Sequence, residues 1–312
     1  MKKGIAFWMA ALLCVFCIFC GTASASGQKE VIFLTPNVGE EVWLLARYGA
    51  EKAAAEMGFT LTWQGPDVAD TAKYNEMFET VISLKPAAII CHPWAKDAMA
   101  PIIKRGLEAG IPIIACLSDP GDGLRTAYVG PDAEQLGYAQ AEGIYQLVNA
   151  PMIAGVILHD LSSEHAQLQV TGAKRFMESV PGSEVIDIQA DGGDQVKTYD
   201  VFSAMVKANP TMNVLFAFTG SAAPGLGKVI EEMNLEGQIY ALGGVETKQN
   251  LDTINQGVAA ITNWNFFEAG YQSAKAAFEA SNGEELDGII PTECFLITKD
   301  NLAQVKADLG ID

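Results

Sequence analysis

The stretch from Glu30 to Gly65 constrains the fold of this chain more than any other. Val31-Ile32-Phe33-Leu34 is an apolar run of strand length, and the loop Thr35-Pro36-Asn37-Val38-Gly39-Glu40-Glu41 follows it. Val42, Ala46, Ala50, Ala53 and Met57 then recur at three- and four-residue spacing, which predicts a helix from about Val42 to Met57 with one apolar face. Gly58 stops it, because glycine takes the left-handed conformation without steric cost. Thr60-Leu61-Thr62-Trp63 reads as the next strand. Strand, helix and strand of these lengths form a right-handed crossover, so the two strands run parallel. Ligands of open α/β sheets gather beyond the carboxyl ends of strands, which here means Pro36 to Trp43.

The rest of the chain repeats this unit. Ala87–Cys91, Pro112–Leu117 and Thr126–Gly130 are strands, separated by helices at about Thr71–Ser83 and Ala98–Ala109. The pattern restarts with a helix from Pro131-Asp132 to about Val148 and strands at Ala154–Leu158, Glu184–Ile188, Val214–Phe218, Ile239–Gly243 and Ala259–Thr262. Helices fall at Glu164 to near Pro181, Gln195–Ala208, Ala222–Met233 and about Thr247–Asn255. A further helix over Phe266–Ala280 and a last strand over Glu293–Ile297 close the chain. This alternation predicts an α/β protein of two doubly wound, parallel-sheet lobes. The late helix returns to the first lobe. The expected lobes are therefore 26–130 with 265–290, and 131–264 with 291–312, joined by several hinge strands near Val129–Pro131, Trp264 and Pro291.

The chain begins with a basic start, an apolar run from Ile5 to Phe19, and Gly21-Thr22-Ala23-Ser24-Ala25. That is the pattern of a secretory signal peptide cleaved after Ala25, so the expected location is the periplasm. Cleavage removes Lys2 and Lys3 and takes the formal charge from −18 to −20. Such a surface repels phosphate backbones and anionic lipid, which argues against nucleic-acid and membrane-surface partners. Cys91, Cys116 and Cys294 remain; an odd count is no disulfide framework. One bridge between Cys91 and Cys116 stays open on this reading, with three buried thiols as the default.

Catalytic signatures are missing. Gly220-Ser221-Ala222-Ala223-Pro224-Gly225-Leu226-Gly227-Lys228-Val229 has the look of a phosphate loop, but Leu226 and Val229 break its register. The chain has neither a Gly-x-Ser-x-Gly elbow nor a His-Glu-x-x-His pair, and Gly39 is alone in the first βα turn. His159, Asp160, Glu164 and His165 can be read as metal ligands or, more simply, as a strand end and a helix start with polar caps. The expectation is a binding protein with no catalytic residue, no metal and no cofactor.

The strand ends instead carry aromatic and hydrogen-bonding residues: Asn37, Trp43, His92, Trp94, Ser118, Asp119, Asp160, His165, Asn263, Trp264 and Asn265. An aromatic face covers the C–H side of a sugar ring, while amides and carboxylates satisfy hydroxyls that are costly to bury unpaired. Trp63, inside a strand, is read as packing. Trp43 and Trp264 flank the expected cleft and are read as ligand contacts. Asp119, beside Pro120-Gly121, can serve a ligand or a turn.

The chain resembles a type I periplasmic sugar-binding protein, the ribose-binding class of ABC-transporter solute receptors. The resemblance rests on Val31–Pro36, on Ala50–Gly58, on Ala87–Pro93 with Asp97-Ala98, on Ala109–Ile114, on Val214–Ala217 and on Ala241–Gly244, in that order and spacing. It implies two lobes that close on one ligand without chemistry and deliver it to a membrane permease. Ribose-type receptors have an Asp-Arg pair where Leu117-Ser118-Asp119 stands, an Arg where Gln169 stands, and an Asn-Asp pair at Thr219-Gly220-Ser221. Their Asp at Val245 is missing, with Glu246 next to it, and their Gln is replaced by Trp264. Thr62–Pro66, Ser118-Asp119, Ala222-Ala223-Pro224 and Trp264-Asn265 are locally similar to the receptors for rhamnose and for furanosyl autoinducers, though the signal-binding receptors have a Lys where Asn37 stands and an acidic pair near His165 that this chain does not reproduce. The implied ligand set is Asn37, Trp43, His92, Trp94, Ser118, Asp119, His165, Gln169, Thr219, Glu246 and Trp264. The implied ligand is a small neutral sugar-like molecule, whether a sugar, deoxy-sugar or polyol, bound by a monomer that docks on an ABC permease. The alternative is a sensory receptor that presents its closed form to a chemoreceptor or kinase.

Overall fold

The computed structural model describes residues 28–161 and 163–311. The expected leader and its cleavage site lie outside the described residues. The first sheet is built from β1 (Glu30–Leu34), β2 (Thr60–Gln64), β3 (Ala88–Cys91), β4 (Ile113–Cys116), β5 (Ala127–Val129) and β11 (Ile289–Ile290), in the order β11-β5-β4-β3-β1-β2. The second holds β6 (Ile153–Leu158), β7 (Glu184–Ala190), β8 (Val214–Phe218), β9 (Tyr240–Val245), β10 (Ala260–Asn263) and β12 (Phe295–Ile297), in the order β12-β10-β9-β8-β6-β7. The two orders are one pattern used twice. All pairings are parallel except β12 on β10, where Asn263 faces Phe295 in an antiparallel register.

β1, β3, β4 and β8 are apolar and buried along nearly their whole length, as strands covered on both faces must be. In the first lobe α1 (Glu41–Met57) and α9 (Phe266–Ser281) cover one face, and α2 (Thr71–Leu84) and α3 (Lys96–Glu108) the other. The second lobe packs α4 (Ala133–Val148) and α5 (Glu164–Met177) on one face. On its other face lie α6 (Gln195–Ala208), α7 (Ala223–Met233), the short α8 (Lys248–Asp252) and α10 (Leu302–Leu309). The expected helix near Thr247–Asn255 is α8 continued by a 3-10 turn over Thr253–Gln256. The last strand is shorter than its apolar run, and β11 and α10 are additions to the elements read from sequence.

Each lobe has a very close helix pair on one face of its sheet. A methyl group on Gly49 or Gly270 would overlap the backbone of the facing helix, at Phe267 and Ala46 respectively. Gly137 and Gly172 do the same for α4 and α5, meeting the carbonyls of Gln169 and Glu134. These glycines let backbones touch where any side chain would hold them apart.

The chain passes between the sheets three times, at 130–132, 264–265 and 291–294. The crossings are laced side by side: Gly130 N donates to Ile290 O at 3.2 Å, Thr292 N to Gly130 O at 3.3 Å, and Asn263 pairs with Phe295. Cys91 and Cys116 are separate buried thiols and Cys294 a partly buried one, with no bridge between the first two. Burial pushes the Cys91 thiol up and the Cys116 thiol to about 12, so both are neutral and unreactive. No described helix is long and apolar enough to cross a membrane.

Candidate functional site

In each lobe the strand order reverses beside the first strand, between β1 and β3 and between β6 and β8. Loops diverge at such a point and leave a crevice at the carboxyl ends. Tyr74 of α2 fixes the first crevice: its hydroxyl donates to Leu34 O at 2.9 Å and accepts from His92 N at 3.2 Å, tying the ends of β1 and β3 together. His92 Nδ1 lies 2.8 Å from Cys116 O. A carbonyl only accepts, so that nitrogen carries the proton and Nε2 is left as an unprotonated acceptor. The Trp43 ring meets His92 edge-on at 4.9 Å and Phe266 at 5.4 Å, and Trp94 lies near-parallel to His92 at 6.2 Å. Trp94 in turn stands on Tyr74 at 4.8 Å. These rings form one aromatic wall.

The opposite wall comes from the second lobe and the second crossing. His165, in the first turn of α5, lies 5.3 Å from Trp264 with the rings tilted by 34°. Its Nε2 is sealed from solvent and has no hydrogen-bond partner, and the same holds for the Thr219 hydroxyl beyond β8. Burial drives both imidazoles down, each to about 4. For His92 the Cys116 carbonyl opposes that shift, and His165 across the cleft adds to it. For His165 the Asp132 carboxylate opposes it. The lobes meet across this space: Lys96 Nζ reaches Glu164 Oε2 at 3.2 Å, and Lys248 N donates to Glu41 Oε2 at 3.3 Å.

Several of the anticipated ligand contacts are engaged within the protein. Asp119 is held by Arg125, whose Nε lies 2.5 Å from Oδ1 and Nη2 3.0 Å from Oδ2, and it also accepts from Gly121 N at 2.8 Å. Arg125 additionally donates to Gly288 O at 2.7 Å, so the pair anchors the approach to β11. Ser118 Oγ donates to Pro93 O at 3.1 Å. Both residues follow Leu117, a non-glycine residue at φ 60°, a strained conformation that directs the loop. Asn37 uses its side-chain oxygen to accept from Gly39 N and Glu40 N at 3.2 and 2.9 Å, closing the entry to α1. Gln169 is buried and donates to Gln140 Oε1 at 3.2 Å, and Gln140 donates to Thr262 Oγ1 at 2.9 Å, an internal chain of the second lobe.

Glu246 is 1% exposed, and its two oxygens accept from Trp264 N at 2.8 Å and Phe266 N at 3.0 Å. Burial raises its pKa against the pull of those amides. It seats the crossing that carries Trp264. Trp63, read as packing, lies under the Arg47 guanidinium at 4.8 Å. Among the described residues no group of three or more His, Cys, Asp or Glu is arranged to hold a metal.

Sequence reasoning did not single out Phe266, Arg125, Gln140 or Tyr74. Phe266 had a signal in its place directly after Trp264-Asn265. The others act through partners remote in sequence or on loops. Because Arg125 neutralises Asp119 in a half-sheltered loop, Arg125→Leu is expected to lower stability by about 2 kcal/mol, checked by urea denaturation.

A family model described as "Periplasmic binding protein domain" matches residues 31–285. The chain is 23% identical over 290 residues to the D-ribose/D-allose-binding protein of Pseudomonas aeruginosa, covering 88% of this chain and 91% of that one. It is 25% identical over 251 residues to the ABC transporter periplasmic-binding protein YphF of Escherichia coli, at 74% of each. By structure it superimposes on GanP, a glucose-galactose binding protein from Geobacillus stearothermophilus, with a TM-score of 0.82 and 23% identity over 88% of this chain and 99% of GanP. With two like-wound lobes, three crossings and a family match over most of its length, the chain belongs to the periplasmic binding protein family, in its type I architecture.

Proposed function

We propose that this chain is the exported solute-binding receptor of an ABC transporter, which closes on a small neutral sugar-like ligand and hands it to a membrane permease. The moving bodies are residues 26–130 with 265–290 and residues 131–264 with 291–312. The observation that carries the reading is the pair of facing walls: Trp43, His92 and Trp94 on the first lobe, and His165 of the second lobe with Trp264 of the crossing beside it. Flat apolar faces beside sealed polar atoms match a ring that is apolar above and below and polar at its rim. Ligand contacts with both walls favour the closed form over the open one, and the closed form is what a permease recognises. The names of the relatives, binding proteins for ribose and allose or for glucose and galactose, support the same class. The family also supports export to the periplasm.

Thermal-shift titration of residues 26–312 against neutral sugars, deoxy-sugars and polyols tests the reading. A true ligand at a thousandfold excess over its Kd stabilises the fold by about 4 kcal/mol. Trp264→Ala is expected to abolish that shift. Trp43→Ala is expected to abolish it too and also to lower the unliganded melting temperature, since Trp43 is buried against His92 and Phe266. No shift from any member of the panel would overturn the reading.

A further inference from the structure

The receptor reading leaves open which atoms hold the ligand once the carboxylates are engaged. Asp119 is neutralised by Arg125 and Glu246 is occupied by two backbone amides. Lys96 and Glu164 pair with each other at the rim. Three polar atoms near the facing strand ends are uncharged and uncommitted: His92 Nε2, His165 Nε2 and the Thr219 hydroxyl. The first is an obligate acceptor, because Nδ1 donates to Cys116 O at 2.8 Å. The other two are sealed from solvent without a partner. A polar atom buried without a partner has lost its water and gained nothing in return. A ligand that pairs with all three restores those bonds only when the lobes are shut.

We propose, resting on the receptor reading, that His92 and His165 are two polar jaws, one per lobe, that hold a neutral ligand through uncharged imidazole nitrogens and let it go when they are protonated. The chemistry selects for a ligand with a hydroxyl or N–H proton directed at His92 Nε2 and a hydroxyl at His165. It selects against anions and cations, since neither wall offers an unpaired charge of opposite sign among these contacts. A carboxylate at either position would hold a hydroxyl regardless of pH near neutrality; an imidazole does not.

Proton linkage gives the direction. In this structure both rings sit near 4, well below the ordinary value of 6.5 for an imidazole in water, with burial as the main cause. On the receptor reading closure is what buries them, so between those values a closed form holds fewer protons than an open one that returns the rings to water. Lowering the pH through that window therefore opposes closure, and every tenfold drop in a ring's proton affinity on closing weakens ligand binding in acid by up to about tenfold. The groups around His92 are Tyr74, Cys91 and Cys116, all neutral at these pH values, and His165 itself, which adds like charge once protonated. Around His165 the Asp132 carboxylate acts in the other direction, and Glu164, the neighbouring residue, is paired with Lys96. The burial effect exceeds that of Asp132, so the net sense is release in acid.

The test uses the mature protein with D-ribose, D-allose, D-arabinose, L-rhamnose and L-fucose as probes. Calorimetry at pH 7.5 and 5.0 is expected to show affinity for the bound probe falling at least about tenfold at the lower pH, with the fold intact by circular dichroism. His165→Gln and His92→Gln, which do not titrate, are each expected to shallow that dependence and, combined in one protein, to remove it, whereas a merely structural role would leave the profile unchanged. His165→Phe keeps a ring beside Trp264 and is expected to bind at least about tenfold more weakly at pH 7.5. Binding with no pH dependence, or with a dependence that survives both glutamine variants, overturns the proposal and leaves the receptor reading standing. Binding of none of the probes overturns both. An arm that needs no ligand is an NMR titration of the histidine ring signals: His92 with its proton on Nδ1 supports the proposal, and the opposite tautomer overturns it.

Discussion

Glu246→Ala is expected to lower the melting temperature by about 6–12 °C and to abolish ligand binding. The side chain is buried to 1% exposure and is the partner of Trp264 N and Phe266 N. Removing it strands two amides at a crossing where no water reaches easily, a loss of about 3 kcal/mol. A shift of that size follows from the roughly 2–4 °C that each kcal/mol moves a domain of this scale. Binding suffers more than stability, because Trp264 is positioned through its own backbone. Glu246→Gln separates the effects. The amide can accept from one of the two N–H groups but presents a donor to the other, so it is expected to recover some stability and little affinity. Scanning calorimetry and titration calorimetry on the same three proteins check this. Equal loss of stability and affinity in both variants would mean that Glu246 is packing rather than a seat for Trp264.

Gly137→Ala is the second large effect. Its added methyl would overlap the Gln169 carbonyl on the facing helix, and neither backbone can give way without moving a whole helix. Overpacking of a core costs about 1–3 kcal/mol when side chains can adjust, and here the obstacle is main chain, so about 3 kcal/mol is expected. The shift carries α5 with it, and α5 holds His165 and Gln169. Gly49→Ala forces apart the equivalent pair in the first lobe by meeting the Phe267 carbonyl, and α1 carries Trp43, so its affinity loss is expected to be of similar size. Urea midpoints and affinities of the two variants should fall together.

The period of the fold was legible because local rules repeat. Buried strands of β-branched residues, alanine-faced helices and a glycine stop at Gly58 recur with regular spacing, and Gly58 does take φ 75° as its role requires. Two tryptophans beside strand ends were legible for the same reason. What lay beyond reading was pairing. Asp119 and Glu246 have the chemistry of ligand contacts, but Arg125 and the amides of Trp264 and Phe266 claim them first. Arg125 is brought back by a loop whose glycines, Gly121 and Gly123, adopt positive φ, and nothing in its spacing announces that return. Gln169 occupies an arginine position of the resembled class yet faces Gln140 inside the lobe. β11 is two residues long, too short to carry a period, and α10 has only Leu302 and Val305 as buried anchors.

The three laced crossings have a mechanical meaning. Gly130 is bonded to both Ile290 and Thr292, and Asn263 is paired with Phe295, so the connections lie edge to edge like leaves of one spring. A flexure of that kind bends about a single axis and is stiff to sliding and to torsion. For the proposed closure this leaves one soft coordinate between the lobes rather than many. A closing stroke of that kind would return His165 to the same place opposite His92, and the orientational entropy lost in each capture would be correspondingly small.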